Sequence, residues 1–252
     1  MPVAFGSISS AGAADPASGV TVTAPSGIVN GDLLIAAGLT PAADVTGITL
    51  PTGFTEVLDS EPAIGSPRFA WGWKIAASES GNYLIQKAAG SDAAWAGLVA
   101  RFTGVNEGSP INANGSTLYE QANENPADIT CPTVTTNTSD TMILRIVCLQ
   151  WASANGAGLV IQTAGYTERA DEGEPDSPNT NVGVALYTID TNQATAGATG
   201  TATVRSSVAG NKQGVGITIA ISPLAGGRGP IFGFGGGLGE WTRRFWNTGR
   251  NQ

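Results

Sequence analysis

Short runs rich in Val, Ile and Thr recur along this chain, and Gly, Pro, Asn and Asp separate them. This pattern predicts β-strands joined by turns. Residues 20–23 alternate apolar with polar side chains, which indicates a strand with one buried face. Residues 33–37 and 142–144 are continuously apolar, which indicates central strands covered on both faces.

The predicted strands form two sets of seven. The first set lies near residues 3–9, 19–24, 32–39, 54–58, 67–76, 82–87 and 94–103. The second set lies near residues 115–121, 128–135, 140–149, 159–169, 181–190, 198–205 and 214–222. Such sets predict an all-β fold, a β-sandwich of the jelly-roll or immunoglobulin-like type.

One stretch of the chain occurs twice. Residues 19–36 align without a gap with residues 127–144, which places Asp32 opposite Asp140. Later echoes keep the same order: the Gly-Phe-Thr-Glu that ends at Glu56 returns as the Gly-Tyr-Thr-Glu that ends at Glu168. We therefore predict an internal duplication, with half-repeats at about residues 1–108 and 109–223 of one β-sandwich.

Two arrangements of these halves are open. Each half could form its own immunoglobulin-like domain, or the halves could interleave as one sandwich with an internal pseudo-twofold axis. The join at residues 106–114 is short and has little linker character, which favours the interleaved arrangement. In that arrangement each half would cover the sheet edges of its twin.

Composition narrows the classes of function. Only 13% of the 252 residues are charged, against roughly 25% in an average soluble domain. The net charge of −8 argues against a general nucleic-acid binder. We expect no membrane span, because no run of about 18 apolar residues occurs, and no signal peptide, because residues 1–5 lack its basic region.

Candidate catalytic and metal-binding groups are sparse. The chain has no His, the commonest general base and metal ligand. Glu56 and Glu168 could be a glycosidase pair, but duplication alone explains their matching positions. The acidic residues 167–176 suggest calcium, but their spacing departs from the calcium-loop motif and favours a solvated connection between strands. We predict no catalytic residue, no metal site and no cofactor.

Aromatic and sulfur-containing side chains have simpler interpretations. Trp71 and Trp73 share one side of a predicted strand, where they could stack on sugars but more often belong to a sandwich core. Cys131 and Cys148 flank a predicted strand, and we expect buried free thiols rather than a disulfide.

The last 29 residues differ from the rest of the chain. Residues 1–223 carry 8 Lys/Arg and 19 Asp/Glu, a balance of −11, whereas residues 224–252, the tail, carry four Arg and one Glu. The spacing of the tail's apolar side chains predicts a short helix with one apolar face. We predict that the tail is a docking peptide. Its partner-binding residues would be Phe232, Phe234, Leu238, Trp241, Arg243, Arg244, Phe245 and Trp246.

Several turn-and-core motifs carry a resemblance to a known group of proteins. They lie at residues 31–37, 48–55, 73–76, 100–111, 165–169 and 219–223. In these motifs residues 19–223 resemble β-sandwich structural proteins of tailed-bacteriophage and prophage virions, such as fibre, tail and capsid-decoration components. The resemblance carries no catalytic residue, and the tail lies outside it.

The resemblance implies a non-enzymatic protein on the surface of the phage particle. Its implied partners are other virion proteins and copies of itself, in a homo-oligomer, and a host-surface glycan is left open as a further partner. A capsid-decoration or head-fibre role and a tail or tail-fibre role are both open. The alternatives are a carbohydrate-binding surface module and, less favoured without His, a glycan hydrolase.

Overall fold

The computed structural model describes residues 1–13, 19–41, 46–60, 67–87, 94–121, 126–151, 159–175, 181–206 and 212–224. These residues are all-β, and no helix occurs among them, so none that could cross a membrane. The tail lies outside the described residues from position 225 onward, so its predicted helix and partner-binding residues do too.

The described residues form sixteen strands, eight in each half. The first half contains β1 (Ala4–Ala13), β2 (Gly19–Val22), β3 (Leu33–Thr40), β4 (Ile48–Thr49), β5 (Thr55–Ser60), β6 (Arg68–Ile75), β7 (Tyr83–Lys87) and β8 (Trp95–Thr103). The second contains β9 (Ile111–Gln121), β10 (Ala127–Cys131), β11 (Met142–Trp151), β12 (Leu159–Ile161), β13 (Tyr166–Pro175), β14 (Asn181–Ile189), β15 (Ala202–Ser206) and β16 (Lys212–Ile221).

The strands differ from the prediction at two places in the chain. β4 has only two residues, too few to give a pattern in the sequence. The single strand predicted at residues 159–169 is two strands, because the chain turns between them at Gly165, whose φ is 83°. A positive φ of this kind suits glycine, which has no Cβ to clash.

The strands pair into four antiparallel sheets. The five-stranded sheets have the orders β1-β8-β3-β6-β5 and β9-β16-β11-β14-β13. The three-stranded sheets have the orders β2-β7-β4 and β10-β15-β12. Adding eight to each strand number of the first half gives the order found in the second half.

The sheets stack in four layers. Leu33, Trp71 and Ile217 belong to a central core between the two five-stranded sheets. On its other face, each five-stranded sheet packs against the three-stranded sheet of its own half, around residues such as Val20 in one half and Ile129 in the other. This explains the continuous apolar runs of β3 and β11, because both faces of these strands are buried.

The interleaved arrangement favoured by the sequence is not found. Every sheet takes its described strands from one half only, and the halves meet face to face. Each five-stranded sheet has two apolar faces, and its own three-stranded sheet can cover only one of them. The twin half therefore buries a sheet face rather than a sheet edge.

In the structure, the equivalence between residues of the two halves is offset by one position from the ungapped sequence alignment. That alignment pairs Leu34 with Met142, but Leu34 faces an outer core and Met142 faces the central core. Met142 therefore takes the place of Leu33. Because side chains alternate along a strand, a slip of one residue moves every side chain to the opposite face.

The turns before β3 and β11 agree with this correction. Gly31 and Asp140 become equivalent, and both have a positive φ, 89° and 57°. Asp32 then corresponds to Thr141, and each carbonyl accepts a backbone hydrogen bond of 2.8 Å, from Ala76 and from Gln193 respectively. The equivalence predicted between Asp32 and Asp140 is therefore wrong by one position.

Two pairs of β-bulges also match between the halves. One bulge interrupts β1 between Phe5 and Ser7, where β1 pairs with β8. Its counterpart interrupts β9 between Ile111 and Ala113, where β9 pairs with β16. The other follows Glu56 in β5 and Glu168 in β13. Bulges re-aim the side chains of an edge strand, so their matching positions give the two five-stranded sheets similar edges.

Candidate functional site

Glu56 and Glu168 are exposed, and each lies on an edge strand of a five-stranded sheet. β13 packs against β1, whereas β5 lies at the far edge of the first five-stranded sheet. The structure therefore places the two carboxylates at opposite edges and does not assemble them as a pair.

The acidic residues that suggested calcium belong mainly to β13, so they do not form a loop between strands as predicted. Alternation along the strand directs Asp171 and Glu172 to opposite faces. The Glu172 carboxylate accepts a hydrogen bond of 2.8 Å from the hydroxyl of Ser10 in the first half. In the described ranges, no group of three His, Cys, Asp or Glu residues is placed to hold a metal ion.

Asp59 and Asp171 occupy equivalent positions three residues after the two matching glutamates. The Asp59 carboxylate accepts a hydrogen bond from the backbone N–H of Ile48 at 3.3 Å, in the edge strand β4. The Asp171 carboxylate accepts one from Leu159 at 3.2 Å, in the equivalent strand β12. Each aspartate therefore connects the edge of a three-stranded sheet to the edge of a five-stranded sheet.

The two aspartates differ in their charge partners. The guanidinium of Arg68 donates two hydrogen bonds to Asp59, at 2.7 and 3.1 Å. In the second half the register places Gly183 at the position of Arg68, so the equivalent cation is missing there. Partial burial of the carboxylate, with the nearby charges of Glu168 and Glu172, raises the pKa of Asp171 to about 6, although the residue as a whole is exposed to solvent.

Arg145 is a fully buried cation that sequence analysis missed. Its guanidinium donates to the carbonyls of Pro132 and Gly200, each at 2.9 Å, and to the hydroxyl of Thr218. Its Nε donates to the Tyr166 hydroxyl at 3.1 Å, and the guanidinium lies 5.5 Å from that ring centre. Arg145 thus joins β11 to two loops and to β13, which is a structural role.

Trp71 and both cysteines are buried, which agrees with the structural rather than the functional interpretation of these side chains. Trp71 is 1% exposed and lies in the central core, so its ring has no face for a sugar, whereas Trp73 is partly exposed at the edge of that core. Cys131 and Cys148 are buried free thiols, as predicted. Burial raises the pKa of each thiol to about 12.

Among the described residues, two surface grooves have room for a ligand or a peptide. The junction groove, of about 540 Å³, lies where the start of the chain, the join between the halves and the end of β16 meet. Its lining residues are Met1, Pro2, Asn106, Thr138, Ser139, Asp140, Ser222, Pro223 and Leu224. The second, or outer groove, of about 310 Å³, lies beside β4 and β7 and includes Thr49, Thr52, Asn82 and Gln86.

The predicted partner-binding residues cannot be assigned to either groove, because all of them lie beyond Leu224, the last described residue. Comparison with protein-family models, curated proteins and solved structures found no match. Function is therefore argued from the described geometry and from the sequence.

Proposed function

We propose that this chain is a non-enzymatic structural protein of a tailed-phage virion. Residues 1–223 would form the body displayed on the particle surface, and residues 224–252 would attach it. The single observation that carries the proposal is the face-to-face union of two sandwiches around one core. One shared apolar core holds the two halves together as a single body, which suits a protein displayed on a particle.

The proposal extends to the origin of the body. We infer that an ancestral sandwich of the jelly-roll or immunoglobulin-like type was duplicated. The equal strand orders, the matched bulges and the matched turns at Gly31 and Asp140 support this origin. The copies then diverged: Arg68 has no counterpart in the second half, and Arg145 stands where the first half has Ala36.

The tail is the proposed attachment device. It holds five of the chain's aromatic residues and a net charge of +3, beside a body of net charge −11. Burying one aromatic side chain against a partner stabilises a complex by about 2–3 kcal/mol. Two or three of these side chains could hold a subunit in place, with Arg243 and Arg244 meeting acidic groups at the rim.

The attachment proposal is tested by replacing Trp241 and Phe245 together with Ala. We expect the strand signature in circular dichroism to persist, because the substitutions lie outside the body. We expect the variant to be lost from assembled particles. The matched control is Val160→Ala, a change at an exposed apolar residue of the body that should leave incorporation unchanged. Normal incorporation of the double variant would contradict the proposal.

A second candidate function is carbohydrate binding. The outer groove favours it, because the side chains of Thr49, Thr52, Asn82 and Gln86 offer neutral hydroxyl and amide groups of the kind that bind sugar hydroxyls. Glycan-array binding that disappears in Asn82→Ala would support this function. Absence of binding to any glycan would remove it.

A further inference from the structure

The start of the tail is equivalent to the start of the join between the halves. Because β3 and β11 are equivalent, their partners β8 and β16 are equivalent too, and their registers make Ala100 the counterpart of Ile219. Counting on from these two residues, residues 106–109 of the join correspond to residues 225–228 of the tail. Each of these segments follows the last strand of its half.

Two reciprocal contacts support this equivalence. Val105 forms an antiparallel bridge with Pro223. Exchange of the two halves converts this pair into Leu224 and Gly104, and the backbone N–H of Leu224 donates a hydrogen bond of 2.7 Å to the carbonyl of Gly104. The last described residue of the chain therefore follows the same course as Val105.

In the first half, the join lies against the turn before β3. The Glu107 side chain contacts this turn, since a Cβ at Gly31 would lie 2.7 Å from one of its carboxylate oxygens. The join turns here as well, because the backbone N–H of Ser109 donates to the carbonyl of Asn106 at 3.1 Å. Residues 106–109 therefore cross the end of the first half beside Gly31.

The equivalent turn of the second half lines the junction groove. Asp140 is the counterpart of Gly31, and Ser139, Asp140 and Leu224 all belong to the groove lining. Leu224 is 45% exposed, whereas its counterpart Val105 is 3% exposed and lies in the central core. The groove therefore occupies the position in the second half that the join occupies in the first.

The groove matches the start of the tail in charge as well as in position. Its lining includes the exposed carboxylate of Asp140 and no Lys or Arg side chain. Arg228 is the first charged residue after Leu224. Four extended residues span about 13 Å, so the guanidinium of Arg228 can reach a carboxylate in the same groove. Arginine and carboxylate groups form strong, charge-assisted hydrogen bonds.

We propose that the junction groove binds the start of this chain's own tail, with residues 225–228 crossing the Asp140 turn as the join crosses the Gly31 turn. The covalent link at Leu224 gives the segment a high effective concentration beside the groove, so weak contacts are enough to hold it. This docking does not depend on a virion role. Together with the attachment role proposed above, it directs the junction end of the body toward the particle.

The first experiment measures hydrogen–deuterium exchange on the full-length chain carrying Trp241→Ala and Phe245→Ala, so that assembly through the tail does not protect it. Relative to intrinsic rates, residues 225–228 should exchange about tenfold or more slowly than residues 247–252, because docking protects their amides. The result is independent of the attachment proposal, since no particle is involved. Equal exchange of both segments would overturn the proposal and leave the groove to an extended segment of another protein.

The second experiment blocks the groove. Ser139→Trp should fill it and abolish the protection of residues 225–228. The matched control, Ser80→Trp, places the same side chain in the outer groove and should leave the protection unchanged. If Ser139→Trp fails to fold, Arg228→Asp serves instead, because it lies outside the body, and adding Asp140→Arg should restore the protection. Protection that survives Ser139→Trp or Arg228→Asp, or that Ser80→Trp removes equally, would overturn the proposal.

Discussion

Asp59 and Asp171 hold the same place in the two halves and accept the same type of backbone hydrogen bond, but within the described part of the chain only Asp59 has an arginine partner. Asp171 lies on β13 among other carboxylates. The two halves therefore share a backbone geometry at this position and differ in their electrostatics. This difference predicts how stability depends on pH.

We expect Asp171 to make the protein less stable as the pH rises through about 6. The pKa of Asp171 is raised to about 6 from an ordinary value of 3.8, so the folded state holds the proton more tightly than the unfolded state. The resulting stabilisation is complete below about pH 4 and is lost as the pH rises through 6. Solvent screening reduces it to about 1 kcal/mol.

This dependence is measured by chemical denaturation of the wild type and of Asp171→Asn between pH 4 and pH 7. As the pH rises from 4 to 7, the unfolding free energy of the wild type should fall by about 1 kcal/mol relative to that of Asp171→Asn. Asp59→Asn is the control, since it removes an ion-paired carboxylate. A constant gap between wild type and Asp171→Asn would contradict the prediction.

Arg145→Met should destabilise the protein by about 2–4 kcal/mol. The substitution removes the guanidinium's hydrogen bonds to the carbonyls of Pro132 and Gly200, which keep only the hydroxyls of Thr218 and Thr199 as donors. A hydrogen bond to a charged group contributes about 1.5–3 kcal/mol. The control is Arg205→Ala, which breaks an exposed ion pair with Asp128 and should change the melting temperature little. An equal loss of stability in both variants would show that the buried hydrogen bonds of Arg145 contribute no more than an exposed ion pair.

The corrected equivalence of Gly31 and Asp140 predicts opposite outcomes for reciprocal substitutions. Gly31→Asp should cost about 1–2 kcal/mol, because a side chain is strained at a φ of 89°. The Glu107 carboxylate that the new Cβ would meet belongs to a flexible, exposed side chain and can move away. Asp140→Gly should change stability by less than about 1 kcal/mol, because glycine accepts a φ of 57° without strain. Calorimetry of both variants decides, and equal destabilisation would contradict the equivalence.

Much of the fold could be predicted from local patterns. The apolar runs of β3 and β11 correctly indicated strands buried on both faces, and Trp71 correctly indicated a core. The register between the halves was missed because the identity of Asp32 and Asp140 dominated the alignment. In the structure the equivalent residues are Gly31 and Asp140, which have a positive φ before β3 and β11. A sequence comparison contains no information on backbone angles.

The remaining features depend on contacts between distant parts of the chain. Arg145 is a single cation in an apolar run, and its acceptors come from loops and strands far from it in sequence. The face-to-face packing of the halves depends on which sheet face remains uncovered, which no local pattern encodes. The role of the tail rests on its composition and remains a prediction.

The central claim, that this chain is a virion component, is tested most directly by quantitative mass spectrometry of purified phage particles from a genome that encodes it. We predict that the chain co-purifies with the particles at a fixed ratio to the major structural proteins, and that Trp241→Ala with Phe245→Ala removes it from them. A chain produced in infected cells but absent from purified particles would contradict the account.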